Sequence, residues 1–594
     1  MVEVGMARVG YPIRPPRPPQ LIDIVRRIFQ FAWLPAGLLA ASLAQAGDAG
    51  LRLVDITAES GLDFRYENGA TGRFLFPEIM GGGAAVLDYD LDGRMDIYLV
   101  QGGRPDADPE SNPVRDRLFR NITGDDGTRR IRFVDVTEAS GIDARGYGQG
   151  VAVGDIDADG DPDLLVLNVG PNQLWRNDGN GRFTDITRTA GVAGKEWSVS
   201  GSIADLDGDG LPELLVINYV DWSPGRHRDC HAAGSSRLDY CSPSAYAPVA
   251  DRLYHNLGGG RFRDVSTTAG LASAARPGLG AVIADFDSDG WLDLYVANDG
   301  TPNQYWLGRG GLRFEDDAFL AGNAVNAAGA SEAGMGVDAG DVDRNGALDL
   351  FVTHLVRETN TLYLNDGQGW FRDATAEAGL GPPSLSRTGF GTGMVDLNLD
   401  GWLDLYVANG AVTIEAAQAS AGAEWPFLQS DQLFLNTGGA RFIDASAQAG
   451  PDLGVPHTGR GVAFGDFDDD GRVDLVIADN HGPVRLLHNR SSPARHWLGV
   501  APDSRDPAAQ PPLTVWLLDA DGRRLWRHRS RRDGSYASAN DSRVVFGLDD
   551  SDRPQAVEVH WADGRIERFS GLAVDRYHRL APGNGQPQEG NSEP

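Results

Sequence analysis

Lysine is almost missing from this chain: Lys195 stands alone against 52 arginines. With alanine and glycine so abundant, we read that imbalance as codon bias of a GC-rich genome. Cysteine is nearly absent too, with only Cys230 and Cys241. No CxxC, H-E-x-x-H or Ser-His-Asp signature occurs, so thiolate metal centres, zinc-protease chemistry and a recognisable hydrolase triad have no support. Positive charge is in deficit, with a formal net charge of -31. Nucleic acid and anionic membrane surfaces are therefore poor partners for the body of the protein, and cations are good ones. Apolar residues still make up 41% of the chain, enough to build a core rather than an acidic tail.

Long apolar runs are missing after the N-terminus. Arg26 and Arg27 precede an apolar stretch from Ile28 that ends Ala44-Gln45-Ala46. That pattern predicts a cleaved export signal over residues 1–46, with an uncleaved anchor as the alternative. After cleavage no stretch spans a membrane. Export makes one disulfide between Cys230 and Cys241 the expected state, two free thiols the alternative.

One motif is abundant. D-x-D-x-D-G-x-x-D or a near copy occurs seven times: DYDLDGRMD from Asp88, DIDADGDPD from Asp155, DLDGDGLPE from Asp205, DFDSDGWLD from Asp285, DVDRNGALD from Asp341, DLNLDGWLD from Asp396 and DFDDDGRVD from Asp466. Each follows a small-residue apolar run. Each precedes a strand-like run, then L-[YFW]-x-N or a close variant, a glycine-rich turn and F-x-D-[VIA]-[TS]. That is four short β runs per repeat, the pattern of a propeller blade. Repeat seven lacks its last run, and an orphan LVDIT (Leu53–Thr57) precedes repeat one. We therefore expect an all-β chain: a seven-bladed β-propeller over 51–490 with Leu53–Thr57 closing blade seven. A small β-sandwich-like domain over 494–581 and a disordered tail over 582–594 complete the expected organisation.

Positions 1, 3, 5 and 9 of the motif are oxygen donors, with glycine at 6. This matches the first half of an EF-hand loop, but position 12 lies in a strand (Val166 in the second copy), so the loop is a hairpin connection. Oxygen-only donors at alternate positions suit a hard cation, Ca²⁺ above all, at up to seven sites. The candidate ligands are Asp88, Asp90, Asp92 and Asp96; Asp155, Asp157, Asp159 and Asp163; Asp205, Asp207, Asp209 and Glu213; Asp285, Asp287, Asp289 and Asp293; Asp341, Asp343, Asn345 and Asp349; Asp396, Asn398, Asp400 and Asp404; Asp466, Asp468, Asp470 and Asp474. Solvated acidic turns are the plainer alternative. The expected role is a structural clip, not a catalytic centre.

These loops, with ENGATGRFLFPEIMGGGAAVLDYDLDGRMDIYLV (Glu67–Val100), the cysteine-bearing insertion DCHAAGSSRLDYCSPSAYAP (Asp229–Pro248), and the C-terminal RHWLGV, VVFGL and VEVHWADGR, resemble FG-GAP/VCBS-repeat propellers. More closely they resemble the cartilage acidic protein family, whose propeller precedes an ASPIC/UnbV domain. The resemblance implies an exported, calcium-binding propeller, secreted, periplasmic or on the cell surface. It further implies a binding or adhesion module for a glycan or an extracellular protein. The family's N-R-x-A-I-G-A-like stretch is replaced here by PDSRDPAAQPPLTVW (Pro502–Trp516).

Two rings of residues should lie on the face opposite the acidic loops. One holds Glu196, Arg276, Glu332, Arg387 and His457. The other holds Gln101, Asn168, Asn218, Asn298, His354, Asn409 and Asp479. From them we take Glu196, Arg276, Glu332, His354, Arg387 and His457 as a candidate polar ligand face, strand-ending turns being the alternative. The insertion, with Trp222, Tyr240 and Tyr246, should cap that face. An enzyme reading, a polysaccharide lyase or hydrolase using Arg387 and His457 at the axial mouth, is the alternative function. The basic run Arg523, Arg524, Arg527, Arg529, Arg531 and Arg532 reads as a solvated strand face, contact with the acidic propeller or with an anionic polymer being the alternative.

Overall fold

The computed structural model describes residues 50–108, 111–232, 234–492, 495–548 and 556–588. The export signal expected over 1–46 and the last residues from 589 lie outside them. Among the described residues, seven four-stranded antiparallel sheets account for the repeats. Blade two is typical: Gly148–Gly154, Asp163–Asn168, Gln173–Asn177 and Phe183–Asp185 lie side by side in chain order. The acidic loop joins the first strand to the second. In blade seven the fourth strand is Leu53–Asp55, which pairs antiparallel with Arg485–Asn489, Leu53 opposite Asn489. Chain ends of the propeller thus meet within one sheet, and blade seven has four strands like the others.

The first strands pack one against the next in a closed cycle, from blade one to blade seven and back. They are glycine-rich because backbone approaches backbone. A side chain at Gly336 would stand 2.1 Å from the carbonyl of Phe390, and one at Gly280 2.5 Å from that of Met335. Apolar cores such as Val282, Tyr295, Val337, Leu350 and Tyr363 fill the space between neighbouring blades.

The C-terminal domain is a two-sheet sandwich. Val544–Leu548, His496–Pro502 and Tyr577–Leu580 form one sheet. Arg524–Ser530, Leu513–Leu518, Ala556–His560, Ile566–Ser570 and Gln586–Pro587 form the other. Leu498, Val515, Phe546 and Val559 pack between them. Gln586–Pro587 pairs with Ile566–Ser570, so the sheet runs beyond 581, where a disordered tail is expected from sequence.

Beyond the alternative that its basic run meets the acidic propeller, the sequence does not show how this domain docks. It sits on the acidic-loop face, and residues 533–541 enter the axis. There they bond to the first strand of every blade. Val86 donates to the Ala539 carbonyl (3.0 Å), Val151 to Ala537 (3.1 Å) and Val337 to Ser535 (3.1 Å). Ala537 donates to the Ser200 hydroxyl (3.0 Å), Ile283 to Asp533 (2.5 Å), Thr392 to Ser535 Oγ (3.2 Å) and Phe464 to Asn540 (3.1 Å). Inner strands of a ring carry N–H groups with no neighbouring strand, and this segment satisfies them. The basic run is correspondingly not a solvated face. Arg527, Arg529, Arg531 and Arg532 are packed between the domains, with Arg531 and Arg529 paired to the wholly buried Asp338. Arg524, which pairs with Glu558, and Arg523 stay exposed.

Candidate functional site

Each acidic loop is folded by its own carboxylates. The position-1 aspartate accepts the N–H of the position-6 glycine: Asp88 from Gly93 (2.9 Å), Asp155 from Gly160 (2.8 Å), Asp466 from Gly471 (2.8 Å). That glycine is left-handed in all seven copies, φ running from 81° to 94°. Position 4 is left-handed as well, and six copies put a side chain there (Leu91, Ala158, Ser288, Arg344, Leu399, Asp469). The position-9 carboxylate is a clamp. One oxygen of Asp163 takes the N–H of Ile156 (2.8 Å) and the other that of Asn177 in the third strand (2.6 Å). Asp96, Glu213, Asp293, Asp349, Asp404 and Asp474 repeat this.

The asparagine ending the third strand carries a role missed at the sequence level, although its recurrence in L-[YFW]-x-N was visible. Its side chain donates across to the preceding blade: Asn177 to the Tyr89 carbonyl (2.8 Å), Asn365 to Phe286 (2.9 Å), Asn436 to Val342 (2.9 Å). The target is always position 2 of the neighbour's acidic loop. Asn489 reaches Leu397 and Asn121 reaches Phe467, which carries the chain of ties through blade seven. Blade four has Gly308 at this position.

Each loop gathers several acceptor-only groups in one half-buried turn. Donor atoms of Asp88, Asp90 and Asp96, and of Asp155, Asp157 and Asp163, lie within 4.8 Å of one another. One oxygen each of Asp88, Asp90, Asp157, Asp207 and Asp468 is buried with no hydrogen-bond partner. Burial, reinforced by the neighbouring carboxylates, pushes Asp88 and Asp155 up to about 6 and Asp96 up to about 9. Charge of one sign held in this way fits a cation among the oxygens.

The opposite face is different in kind. Its axial mouth opens into a cavity of about 380 Å³, walled by Phe76, Tyr219, Tyr246, Phe390, Met80 and Met335. Tyr536, from the axial segment, lies beneath it, its ring 4.9 Å from Phe390 and its hydroxyl on the Met80 carbonyl (3.2 Å). The insertion covers one side. Cys230 and Cys241 are joined, Tyr246 stacks on Phe76 at 5.6 Å, and Trp222 lies 6.0 Å from Trp197. Asp299 and Glu358 line the cavity, Asp299 accepting from the Tyr219 hydroxyl and Glu358 from the Ala333 N–H. Burial pushes Asp299 up to about 6 against its bond to Tyr219.

None of the six residues expected as a ligand face lines this cavity. Glu196 pairs with Arg252 (2.8 Å), Arg276 bonds the carbonyls of Pro302 and Asn303, and Arg387 donates to Ser430 (3.2 Å). Glu332 and His354 come together (3.9 Å), but His354 is fully buried. His457, also buried, is held by Asp431 (2.8 Å). Arg387 and His457 are therefore not poised over an open mouth. The second ring caps strand ends: backbone N–H groups of Asn168, Asn298 and Asn409 are taken by Asn172, Asn303 and Asp431. The polar-mouth expectation fails because most ring charges are consumed within their own blade, as Glu196 is by Arg252, while His457 crosses to Asp431 of blade six; the mouth is built instead around aromatic residues such as Phe76, Tyr246 and Phe390.

Family comparisons agree with the architecture. The FG-GAP-like repeat model matches residues 88–166, 155–216, 234–296 and 285–352, and the ASPIC and UnbV model matches 514–587. The chain belongs to the cartilage acidic protein-like family. This family member is 25% identical over 362 residues to mouse (Mus musculus) cartilage acidic protein 1, covering 51% of this chain and 54% of the relative. To the human (Homo sapiens) protein it is 24% identical over 387 residues, 54% and 56% of the two chains. The chain thus spans about half the length of the curated relatives it matches. Among solved structures, an Agrocybe aegerita lectin described as recognising non-reducing terminal N-acetylglucosamine aligns at TM-score 0.36 and 16% identity, over 61% of this chain and 79% of that one. The repeat model stops at 352, yet the loops at Asp396 and Asp466 show the same clamps.

Proposed function

We propose that this is an exported, calcium-stabilised propeller that works as a binding module, taking a glycan or an extracellular protein at the axial mouth opposite its acidic loops. Calcium would be held by the carboxylates and amides at positions 1, 3, 5 and 9 of each loop. Bound there, it supplies positive charge to oxygens that otherwise repel one another, and it joins loop folding to ring closure through the third-strand asparagines. Export is supported by the disulfide, and no helix among the described residues is long and apolar enough to cross a membrane.

The observation that carries the binding reading is the aromatic cavity itself. It is preformed, and polar groups (Asp299, Glu358, Thr301) stand among stacking surfaces (Phe76, Tyr219, Tyr246). The test is a glycan array and an extracellular-protein pull-down with the mature chain, followed by titration of any hit against Tyr246→Ala. Loss of at least about tenfold in affinity, the order of a buried aromatic anchor, supports the mouth as the site. Undiminished binding by this variant moves the site elsewhere.

A further inference from the structure

The seven loops are not chemically equivalent, and the difference comes from a residue outside the motif. The residue before the end of each third strand faces the loop of its own blade. In register these are Arg120, Arg176, His255, Leu307, Leu364, Leu435 and His488. In blade one the place is taken by a cation: Arg120 lies 2.7 Å from Asp90 and 2.9 Å from Asp92. In blades four, five and six leucine leaves an all-oxygen donor set. In blades three and seven an imidazole enters the cluster.

His255 Nδ1 lies 3.1 Å from Glu213 and 3.8 Å from Asp207, and Asp207, Glu213 and His255 bring their donors within 4.8 Å of one another. Asp468, Asp470 and His488 do the same, with His488 Nε2 3.7 Å from Asp468. In this second cluster Asp468 is only 7% exposed and keeps Oδ1 unpartnered, and His488 Nε2 is likewise buried without a hydrogen bond. An imidazole nitrogen is a poor ligand for Ca²⁺ and a good one for borderline ions such as Zn²⁺. Two donors on one such ion, with bonds of about 2.1 Å, lie no more than about 4.2 Å apart. The 4.8 Å spread therefore closes by side-chain rotation. Two groups must yield: ligation by Nε2 places the proton of His488 on Nδ1, which now accepts from the half-exposed Arg490 (3.2 Å), and Arg472 pairs with Asp470.

We propose that loops three and seven are mixed nitrogen–oxygen sites that take a borderline divalent transition ion, with Asp207, Glu213 and His255 in one and Asp468, Asp470 and His488 in the other. This rests on the reading that the loops hold cations at all, and it divides them into classes. The natural control is in the fold: leucine already occupies the same place in three sister blades, so His255→Leu and His488→Leu keep a side chain the blade accepts.

The experiment equilibrates the full mature chain with Ca²⁺ in excess and Zn²⁺ at low concentration, removes free metal, and counts both ions by mass spectrometry. Two Zn²⁺ per chain are expected, one in each single variant and none in the double variant, with Ca²⁺ in the leucine-facing loops unchanged. Co²⁺ in place of Zn²⁺ should give visible d–d absorption that halves in each single variant. Zn²⁺ binding that survives both substitutions, or Ca²⁺ filling loops three and seven in its place, overturns the proposal and leaves the calcium reading standing. No metal in any loop overturns both.

Discussion

The two ends of the propeller axis are built on opposite terms. At the loop end every blade presents clustered carboxylates, and the C-terminal domain covers much of them. Trp497 lies over Gly471, Trp516 over Gly346, and Tyr577 bonds Asp466 (2.9 Å). At the other end most charges are paired within their own blade and the mouth is aromatic. What joins the ends is one segment, 533–541, which starts among arginines at the loop face and places Tyr536 under the cavity. The lesson is that a repeat lays down both faces equally, but interruptions of the repeat decide what each face does: an appended domain seals one, and a stapled insertion shapes the other.

The largest expected effect follows from removing metal. A site occupied at 100 times its Kd adds about 2.7 kcal/mol, and several such sites act on one cooperative ring. Chelation should therefore lower the Tm strongly, and added Ca²⁺ should restore it, in calorimetry of the mature chain. An unchanged Tm would mean that the hydrogen bonds of the loops hold that face alone, and the contrast between the faces would lose its physical basis.

Second is Tyr536→Ala. Truncating a buried aromatic costs about 3–5 kcal/mol, and here the loss falls at the seam between the faces. Denaturant unfolding should show that cost. If the axial segment also supports the mouth, any ligand bound there is weakened in the folded variant too. A variant with full stability would show the segment to be a passenger in the axis.

Much of this was legible in sequence, for reasons that differ by element. The blade pattern was readable because alternation, glycine turns and the acidic motif recur seven times, and repetition averages out local ambiguity. The position-9 residue was visible as a carboxylate, but its bonds to Ile156 and Asn177 are not, since one partner lies fourteen residues further along the chain. The polar mouth was misread because ring residues such as Glu196 were assigned a direction from register alone. Their partners, Arg252 among them, come from later strands. The axial segment RDGSYASAN carries no apolar periodicity, and its bonds go to seven strands far away in sequence. Nothing local marks it. The arginines were misread for a related reason: a basic strand face is usually solvated, and only the acidic surface it meets reverses that default.

Third, and smaller, is Asn436→Ala. It removes a donor to the buried carbonyls of Val342 and Leu403, at a cost of about 1–3 kcal/mol. Blade four lacks the tie, so Gly308 is a built-in comparison. The ring tolerates one missing link, and Asn436→Ala should fold, with its Tm lowered and its response to Ca²⁺ reduced at one loop. A normal Ca²⁺ response would uncouple loop from ring.

The smallest effect separates the faces by pH. Burial alone pushes the His457 imidazole down, but Asp431 and Asp479 outweigh it and lift it to about 9. The folded state thus holds a proton that the unfolded chain, with an ordinary pKa of about 6.5, releases earlier. Its contribution is complete below about 6.5 and is lost as pH rises through about 9. Metal loops run the other way, since carboxylates must be deprotonated to bind a cation. Without metal, buried loop carboxylates such as Asp96, pushed up to about 9, would titrate over the same range, so the comparison is made with Ca²⁺ saturating the loops. There Tm should decline between those pH values, and His457→Gln should flatten the decline. If His457→Gln leaves the slope untouched, the charged pair behind the aromatic mouth is not what makes that end pH-sensitive, and the two faces differ in polarity without differing in proton linkage.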